Sequence, residues 1–168
     1  IDYIKGNREK TFFGDGVAAH ISTAETVCPE LSHAVMAKAV ELGIKIHVNK
    51  TYVCVDGPRL GTRAESHFFR DSMQSDVIGM TNVPEVFLAR EAQICYCTIG
   101  IVTDYDCWLK DPNQHANVAD IMARYGQSID SVKSLLKAVL ADDPPVVNDN
   151  YRQILGSSVL TPDDALTS

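Results

Sequence analysis

No stretch of the 168 residues approaches the roughly 18 apolar residues that a membrane-spanning helix needs. Basic charge is also in short supply: 15 Lys and Arg stand against 22 Asp and Glu, a formal net charge of −7 at pH 7. A chain of that sign forgoes the counterion release that drives binding to nucleic acid and to anionic membrane surfaces, so neither is an expected partner. The cysteines Cys28, Cys54, Cys95, Cys97 and Cys107 form no C-x-x-C pair and sit beside no paired His motif. Zinc and a disulfide framework are therefore not expected. Five reduced, mostly buried thiols are, with Cys95 and Cys97 on one face of a strand. Residues 1–10 are too charged for a secretory signal, and a cytoplasmic location is expected. A glycine-rich phosphate cradle is missing as well, since Gly14-Asp15-Gly16 reads as a turn.

What is present is 45% apolar and 22% charged, the composition of an ordinary globular domain, and it is organised as an alternation. Residues 29–43 open with Pro29, close on Gly43 and place Leu31, Val35, Ala39 and Leu42 at helical spacing. Two short β-branched runs follow, IKIHV (44–48) and TYVCV (51–55), and are expected as neighbouring strands; Asp56-Gly57-Pro58 stops the second. A helix over 62–73, a strand over 76–80, a helix over 83–92 begun by Pro84 and Glu85, and a strand over 94–102 come next. After a polar loop, an amphipathic helix occupies 118–141, before the Pro144-Pro145 stop.

Short connections between alternating strands and helices imply βαβ crossovers. The expected class is α/β, a mixed, largely parallel sheet flanked by helices. Ligands in such sheets bind beyond the carboxyl ends of the strands. Three segments hold that position: DGPRLGTR (56–63), GMTNVPE (79–85) and TDYDCW (103–108). The chain opens on Ile1-Asp2-Tyr3-Ile4, which reads like the end of a strand with no preceding partner, so an amino-terminal portion of the domain is expected to be missing.

Asp104 and Asp106, two apart on an extended segment, can project to the same side. Such a pair serves as a general acid when mutual repulsion raises one pKa, as a Mg²⁺ site, or as a plain turn and helix cap. The acid reading suits a purine: one carboxyl protonates or hydrogen-bonds N7 and accepts from the 6-amino group. Met80-Thr81 can hold a sugar face and a phosphate or sugar hydroxyl, or cap the following helix. Arg59 and Arg63 can bind an anion, or Arg63 can form a structural ion pair with Glu65 or Glu85. His20 reads as a structural histidine, and Trp108 as a half-buried anchor for its loop.

Taken in order, Asp56-Gly57-Pro58-Arg59 with Arg63-Ala64-Glu65-Ser66, Asp76 through Glu85, and Thr103 through Trp108 resemble the 5'-methylthioadenosine phosphorylases of the trimeric purine nucleoside phosphorylase family. His20-Ile21, Ala24-Glu25 and Cys28-Pro29 match the segment before the first helix of that family, and the likeness covers about residues 1–140. It implies one nucleoside phosphorylase domain, of which residues 1–141 are the carboxy-terminal portion and 142–168 an unmatched tail. It implies phosphorolysis of 5'-methylthioadenosine to adenine and 5-methylthioribose-1-phosphate, with inorganic phosphate as co-substrate and no metal or organic cofactor. Asp104 and Asp106 would recognise the purine and protonate the leaving group, Thr103 would sit beside the base, and Met80 and Thr81 would hold the ribose and phosphate. Leu60 stands where the family has a stacking phenylalanine, and Gly61 where it has serine. His20 would line the 5'-alkylthio pocket of a neighbouring subunit, with Val118 and Ile121 as its apolar wall, in a homotrimer. The family's glycine-rich phosphate turn and its Arg-His pair lie upstream of the segment matched by Ile1, so a separate amino-terminal chain is a conceivable partner. Phosphorolysis of 6-oxopurine nucleosides is one alternative; a non-catalytic fragment or subunit lacking its phosphate site is another.

Overall fold

The computed structural model describes residues 3–4, 8–111 and 117–166. Its sheet is three-stranded and wholly parallel, in the order β1 (Tyr3–Ile4), β2 (Tyr52–Cys54), β3 (Val77–Gly79). The first two residues expected in β1 lie outside the described residues; Tyr3 pairs with Val53 and Ile4 with Cys54. On the other side of β2, Tyr52, Val53 and Cys54 pair with Val77, Ile78 and Gly79. As the central strand, β2 buries successive residues, Val53 at 1% and Cys54 at 3% exposure. That is why it reads as an unbroken apolar run rather than an alternation. An acidic clasp aligns the amino ends of β2 and β3: the Asp76 carboxylate accepts from the Thr51 amide and from Lys50 Nζ, both at 2.9 Å. The Thr51 amide first and Lys50 second hold that carboxyl below its ordinary range.

Helix α1 (Pro29–Glu41) fills the β1–β2 connection. Pro29 supplies a preset φ at its first turn, and Gly43 ends it at φ 68°, donating to Val40 O at 3.0 Å while Ile44 donates to Ala39 O at 2.9 Å. Helix α2 (Arg63–His67) opens on a capping box, in which Thr62 and Glu65 exchange side-chain and backbone bonds. The helix expected over 62–73 does not continue as α; Phe68–Ser72 forms a wider π turn that buries Phe69. Helix α3 (Asn82–Glu91) has extended dihedrals at Val83, φ −111° and ψ 131°. The residue before proline is kept out of the α region by the pyrrolidine ring, so the regular helix starts at Pro84. Helix α4 (Val118–Ala141) has the bounds expected of it, is capped by Asn117, and packs on α1, with Leu135 buried. Lys38 Nζ of α1 lies 2.8 Å from Asp142 just past its end. The core at the carboxyl end of the sheet joins Cys54, Val83 and Val86, with Tyr52, Phe87 and Tyr96 against them.

Two expected strands are not strands. Residues 44–48 and 94–102 form no ladder among the described residues, and β2 pairs with β1 and β3 instead of with 44–48. A strand is a pairing relation, and β propensity alone cannot supply the neighbour. Residues 94–98 are secured differently: Cys28 N donates to Tyr96 O at 2.8 Å, and Tyr96 Oη and Thr98 Oγ1 both donate to Asn82 Oδ1 at 3.0 Å.

The expectation of five free thiols is overturned. Cys28 and Cys95 form a disulfide between residues 67 apart in sequence, their Cα atoms 5.4 Å apart and within bridging range. The pair joins the start of α1 to the segment after α3, a proximity that tertiary packing alone creates. Cys54, Cys97 and Cys107 are free. Denatured protein titrated with a thiol reagent is therefore expected to show three thiols before reduction and five after it; five before reduction would show that the bridge does not form.

Past α4, a short helix α5 (Asp149–Arg152) and 3₁₀ turns at Ile154–Ser157 and Asp163–Ala165 bring the tail back onto the domain. The side chain of Tyr151 is buried there at 3% exposure.

Candidate active site

The loops following β2, β3 and residues 94–102 meet beyond the carboxyl end of the sheet, and the glycines between them show how closely. Gly57 sits at φ 69°, and a Cβ there would lie 2.5 Å from Met80 Sδ, so only glycine lets the first loop pass against Met80. On β3, a Cβ at Gly79 would lie 1.9 Å from the Tyr52 hydroxyl. The Tyr52 ring crosses β3 at that gap and reaches the Thr81 hydroxyl and the Thr81 and Asn82 backbone; burial pushes its pKa up and the Thr81 hydrogen bond opposes that. At Gly61 a Cβ would be 3.9 Å from Asp106 Oδ1, ordinary contact that leaves room for the serine of the resembling family. Cys107 Sγ donates to Gly61 O at 3.5 Å, closing the first loop onto the third. Burial, followed by the Asp106 charge, pushes that thiol's pKa up.

Within the third loop Asp104 is held at both oxygens. Oδ1 accepts from the Asp106 amide at 2.8 Å and Oδ2 from Thr103 Oγ1 at 2.6 Å. The first bond is an Asx turn, and it sets Asp106 at φ 57°, a left-handed conformation that Asp tolerates better than most residues. Turn and functional pair are thus compatible: the turn that Asp-x-Asp favours orients the two carboxylates. Trp108 anchors the loop as expected, half-buried, with the Arg70 guanidinium 3.9 Å over its ring and Tyr105 edge-on at 6.4 Å.

Arg59 is committed to an ion pair. Its Nη1 and Nη2 each donate to a Glu65 carboxylate oxygen at 2.7 Å, and Glu65 also accepts from the Thr62 amide at 2.9 Å. Arg59 first and the Thr62 backbone second hold the Glu65 carboxyl far below the usual range. Glu65, expected from sequence as a partner of Arg63, is paired with Arg59, within the loop that carries Leu60. Leu60 is 46% exposed at the edge of the crevice.

The loop after β2 is the shared neighbour, Gly57 lying against Met80 and Gly61 against Asp106 and Cys107, with Leu60 beside Gly61 and Thr103 bonded to Asp104. His20, Val118 and Ile121 lie on other elements: His20 is exposed on the segment after the Gly14–Val17 turn, and Val118 (70% exposed) and half-buried Ile121 are on the first turn of α4. Gly14-Asp15-Gly16 is a turn as expected, Val17 N donating to Gly14 O at 2.9 Å. Among the described residues no cluster of three or more His, Cys, Asp and Glu is placed to hold a metal ion.

Sequence reasoning missed two supports. Arg8 Nη1 donates to Met80 O at 3.1 Å and Val83 O at 3.3 Å, spanning the loop that carries Thr81, and a lone Arg in a charged segment gives no sign of this. Buried Asn82 accepts from Thr98, the single Tyr96 Oη proton is shared between Asn82 Oδ1 and the nearer Glu85 Oε1 at 2.8 Å, and burial followed by Glu85 pushes the Tyr96 pKa up to about 12. The polar residues Tyr96 and Thr98, alternating within an apolar run, were the legible signal.

Residues 2–141 match the sequence profile of the phosphorylase superfamily. Among curated relatives, S-methyl-5'-thioadenosine phosphorylase of Hyperthermus butylicus is 43% identical over 145 residues, covering 86% of this chain and 52% of its own. That of Geobacter sulfurreducens is 46% identical over 137 residues, covering 82% and 47%. The chain thus spans about half the length of the curated relatives it matches. A solved methylthioadenosine phosphorylase from an antarctic soil metagenomic library superposes with a TM-score of 0.78 at 36% identity, over 96% of this chain and 57% of that one. Methylthioadenosine phosphorylase from Schistosoma mansoni in complex with adenine does so with a TM-score of 0.82 at 28% identity, over 94% and 64%.

Proposed function

The chain belongs to the phosphorylase superfamily, and on that premise we propose that the protein cleaves the N-glycosidic bond of 5'-methylthioadenosine with inorganic phosphate. What supports the reading is the contact of the Gly57–Gly61 loop with Met80 at one end and with Asp106 at the other, in a chain 43–46% identical to relatives named for this reaction.

As the C1'–N9 bond breaks, positive charge builds on the sugar and a phosphate oxygen bonds to C1'. The departing purine takes a proton at N7 from the Asp106 carboxyl, which regains one from solvent after the purine leaves. Asp104 accepts from the 6-amino group, its orientation set by the Thr103 hydroxyl and the Asp106 amide. Thr81 supplies a hydroxyl to the phosphate and Met80 packs on the sugar face. The remaining phosphate donors are those that the family resemblance places upstream of Ile1. No organic cofactor or metal takes part in this scheme. Phosphate both screens the oxocarbenium-like centre and captures it.

The site is completed in a homotrimer, in which His20, Val118 and Ile121 of one subunit serve the 5'-alkylthio pocket of another. This is supported by the apolar stripe of Val118, Met122 and Tyr125, spaced along one face of α4 and 70%, 61% and 44% exposed in the single chain. The test is phosphate-dependent release of adenine by the full-length protein, with inosine and guanosine as competing nucleosides. Preference for the 6-oxopurines would favour the purine nucleoside phosphorylase alternative, and inertness toward every nucleoside a non-catalytic role.

A further inference from the structure

The loop that carries Asp104 and Asp106 leaves residues 94–102, which form no ladder among the described residues, so the sheet does not fix its direction. The Asx turn orders Asp104 against Asp106 but ties neither to another element. Two side chains after the turn reach outward. Cys107 Sγ meets Gly61 O, in a loop without regular structure of its own, and Trp108 packs under the Arg70 guanidinium, 3.9 Å from its ring.

Arg70 is the firmer of the two anchors. It stands in the π turn Phe68–Ser72, directly after Phe69, which is 7% exposed. Met73 N donates to Phe68 O at 3.1 Å and Ser75 N to Phe69 O at 3.0 Å, closing the backbone around Arg70. A π turn holds one residue more than an α turn between its bonded groups, and such turns are frequent at functional sites. In this one Phe69 faces the core and Arg70, next to it, meets the loop. Asp71, 3.7 Å from Arg70 Nη1, belongs to the same turn, so that ion pair ties nothing across to the loop. Tyr105, edge-on to Trp108 at 6.4 Å, carries the stack back to the residue that stands between the two carboxylates.

We propose that Arg70 is a positioning residue for purine recognition: through Trp108 and Tyr105 it holds the Asp104–Asp106 turn in the conformation that meets the base. This rests on the proposed phosphorolysis and deepens it; Arg70 touches no substrate in the scheme. A residue that fixes a loop beforehand acts on binding, because a ligand whose site is formed only part of the time binds more weakly by that fraction. Once the base is bound, the carboxylates stand as before. The cost of losing Arg70 therefore falls on the base rather than on phosphate, and on KM rather than on kcat.

In the full-length protein, Arg70→Met keeps an unbranched side chain and removes the charge over Trp108. KM for 5'-methylthioadenosine and Kd for adenine are each expected to rise about 2- to 5-fold, the size of one exposed cation–π contact, with kcat and KM for phosphate unchanged. Amides of residues 103–108 should exchange with deuterium faster in the same variant. Arg70→Lys returns a cation to the ring and should recover most of both effects, and Asp71→Asn, which removes the carboxylate beside Arg70, should match the wild type. Unchanged adenine affinity in Arg70→Met, an equal rise in KM for phosphate, or unchanged exchange at residues 103–108 would overturn the positioning role. A wild-type protein that binds adenine but cleaves no nucleoside would instead overturn the proposed reaction, and one that binds no adenine would overturn both.

Discussion

Replacing Asp104 by Asn in the full-length protein is expected to lower kcat/KM for 5'-methylthioadenosine by about 30- to 1,000-fold, the consequence of losing a charged hydrogen bond of about 2 to 4 kcal/mol at the leaving group. The fold should tolerate the change. An Asn carbonyl oxygen can still accept from the Asp106 amide, and the Thr103 hydroxyl can turn from donor to acceptor to meet the new amide nitrogen. What changes is the face offered to the purine: a carboxylate accepts from a 6-amino group and repels a 6-oxo oxygen, whereas an amide can donate to that oxygen. Selectivity against inosine and guanosine should therefore relax along with the loss of rate. Asp106→Asn should cost rate with less change in base preference, since Asn also accepts the left-handed conformation at that position. Steady-state kinetics on both nucleoside classes check this, with thermal unfolding as the control for folding. Unchanged selectivity in Asp104→Asn would contradict the purine assignment.

The second large effect is on stability. Gly79→Ala places a methyl 1.9 Å from the Tyr52 hydroxyl and 2.7 Å from its Cζ, so the ring itself must move. Tyr52 is also the ring that reaches Thr81, and displacing it disturbs the loop expected to hold phosphate. Forced overpacking of this kind costs about 1 to 3 kcal/mol, which in a chain of this size lowers Tm by about 2–4 °C per kcal/mol. Gly100→Ala is the control, because a Cβ at Gly100 meets nothing within 4 Å and should leave Tm nearly unchanged. Calorimetry on the two variants decides the matter. Equal melting temperatures would show that the Tyr52–Gly79 approach is not a constraint.

The elements that were legible in the sequence are those whose signals are local. Pro29 and Gly43 bracket α1, Pro144-Pro145 follows α4, and Pro84 opens the regular part of α3 because each acts on its own turn of backbone. The loops after β2 and β3 were legible for a related reason: strand ends and turn residues mark where a parallel sheet presents its crevice, whereas the third loop follows residues that form no ladder. Residues 44–48 and 94–102 carry the same β-branched signature as β2, yet a ladder needs a neighbour, and propensity does not record which neighbour is present. The Cys28–Cys95 bridge escaped for the same cause on a longer scale, its two halves being 67 residues apart and brought together by α1 and the segment after α3. The tail shows it again: nothing in Ser158-Val159-Leu160-Thr161 names Ala18 and His20 as partners, because antiparallel pairing of so few residues is set by Tyr151 docking elsewhere. The Arg59–Glu65 pair was not read either: a helix start near Thr62 was expected, but the capping box there and the bidentate pair built on it required the loop's geometry.

The most direct measurement of the central claim is the identity of the sugar product, followed by ³¹P NMR as the full-length protein turns over 5'-methylthioadenosine in phosphate buffer. A new phosphate monoester resonance, 5-methylthioribose-1-phosphate, growing in equal amount with free adenine is the predicted result. Adenine released with no new phosphorus signal, leaving free 5-methylthioribose from attack by water, would contradict it.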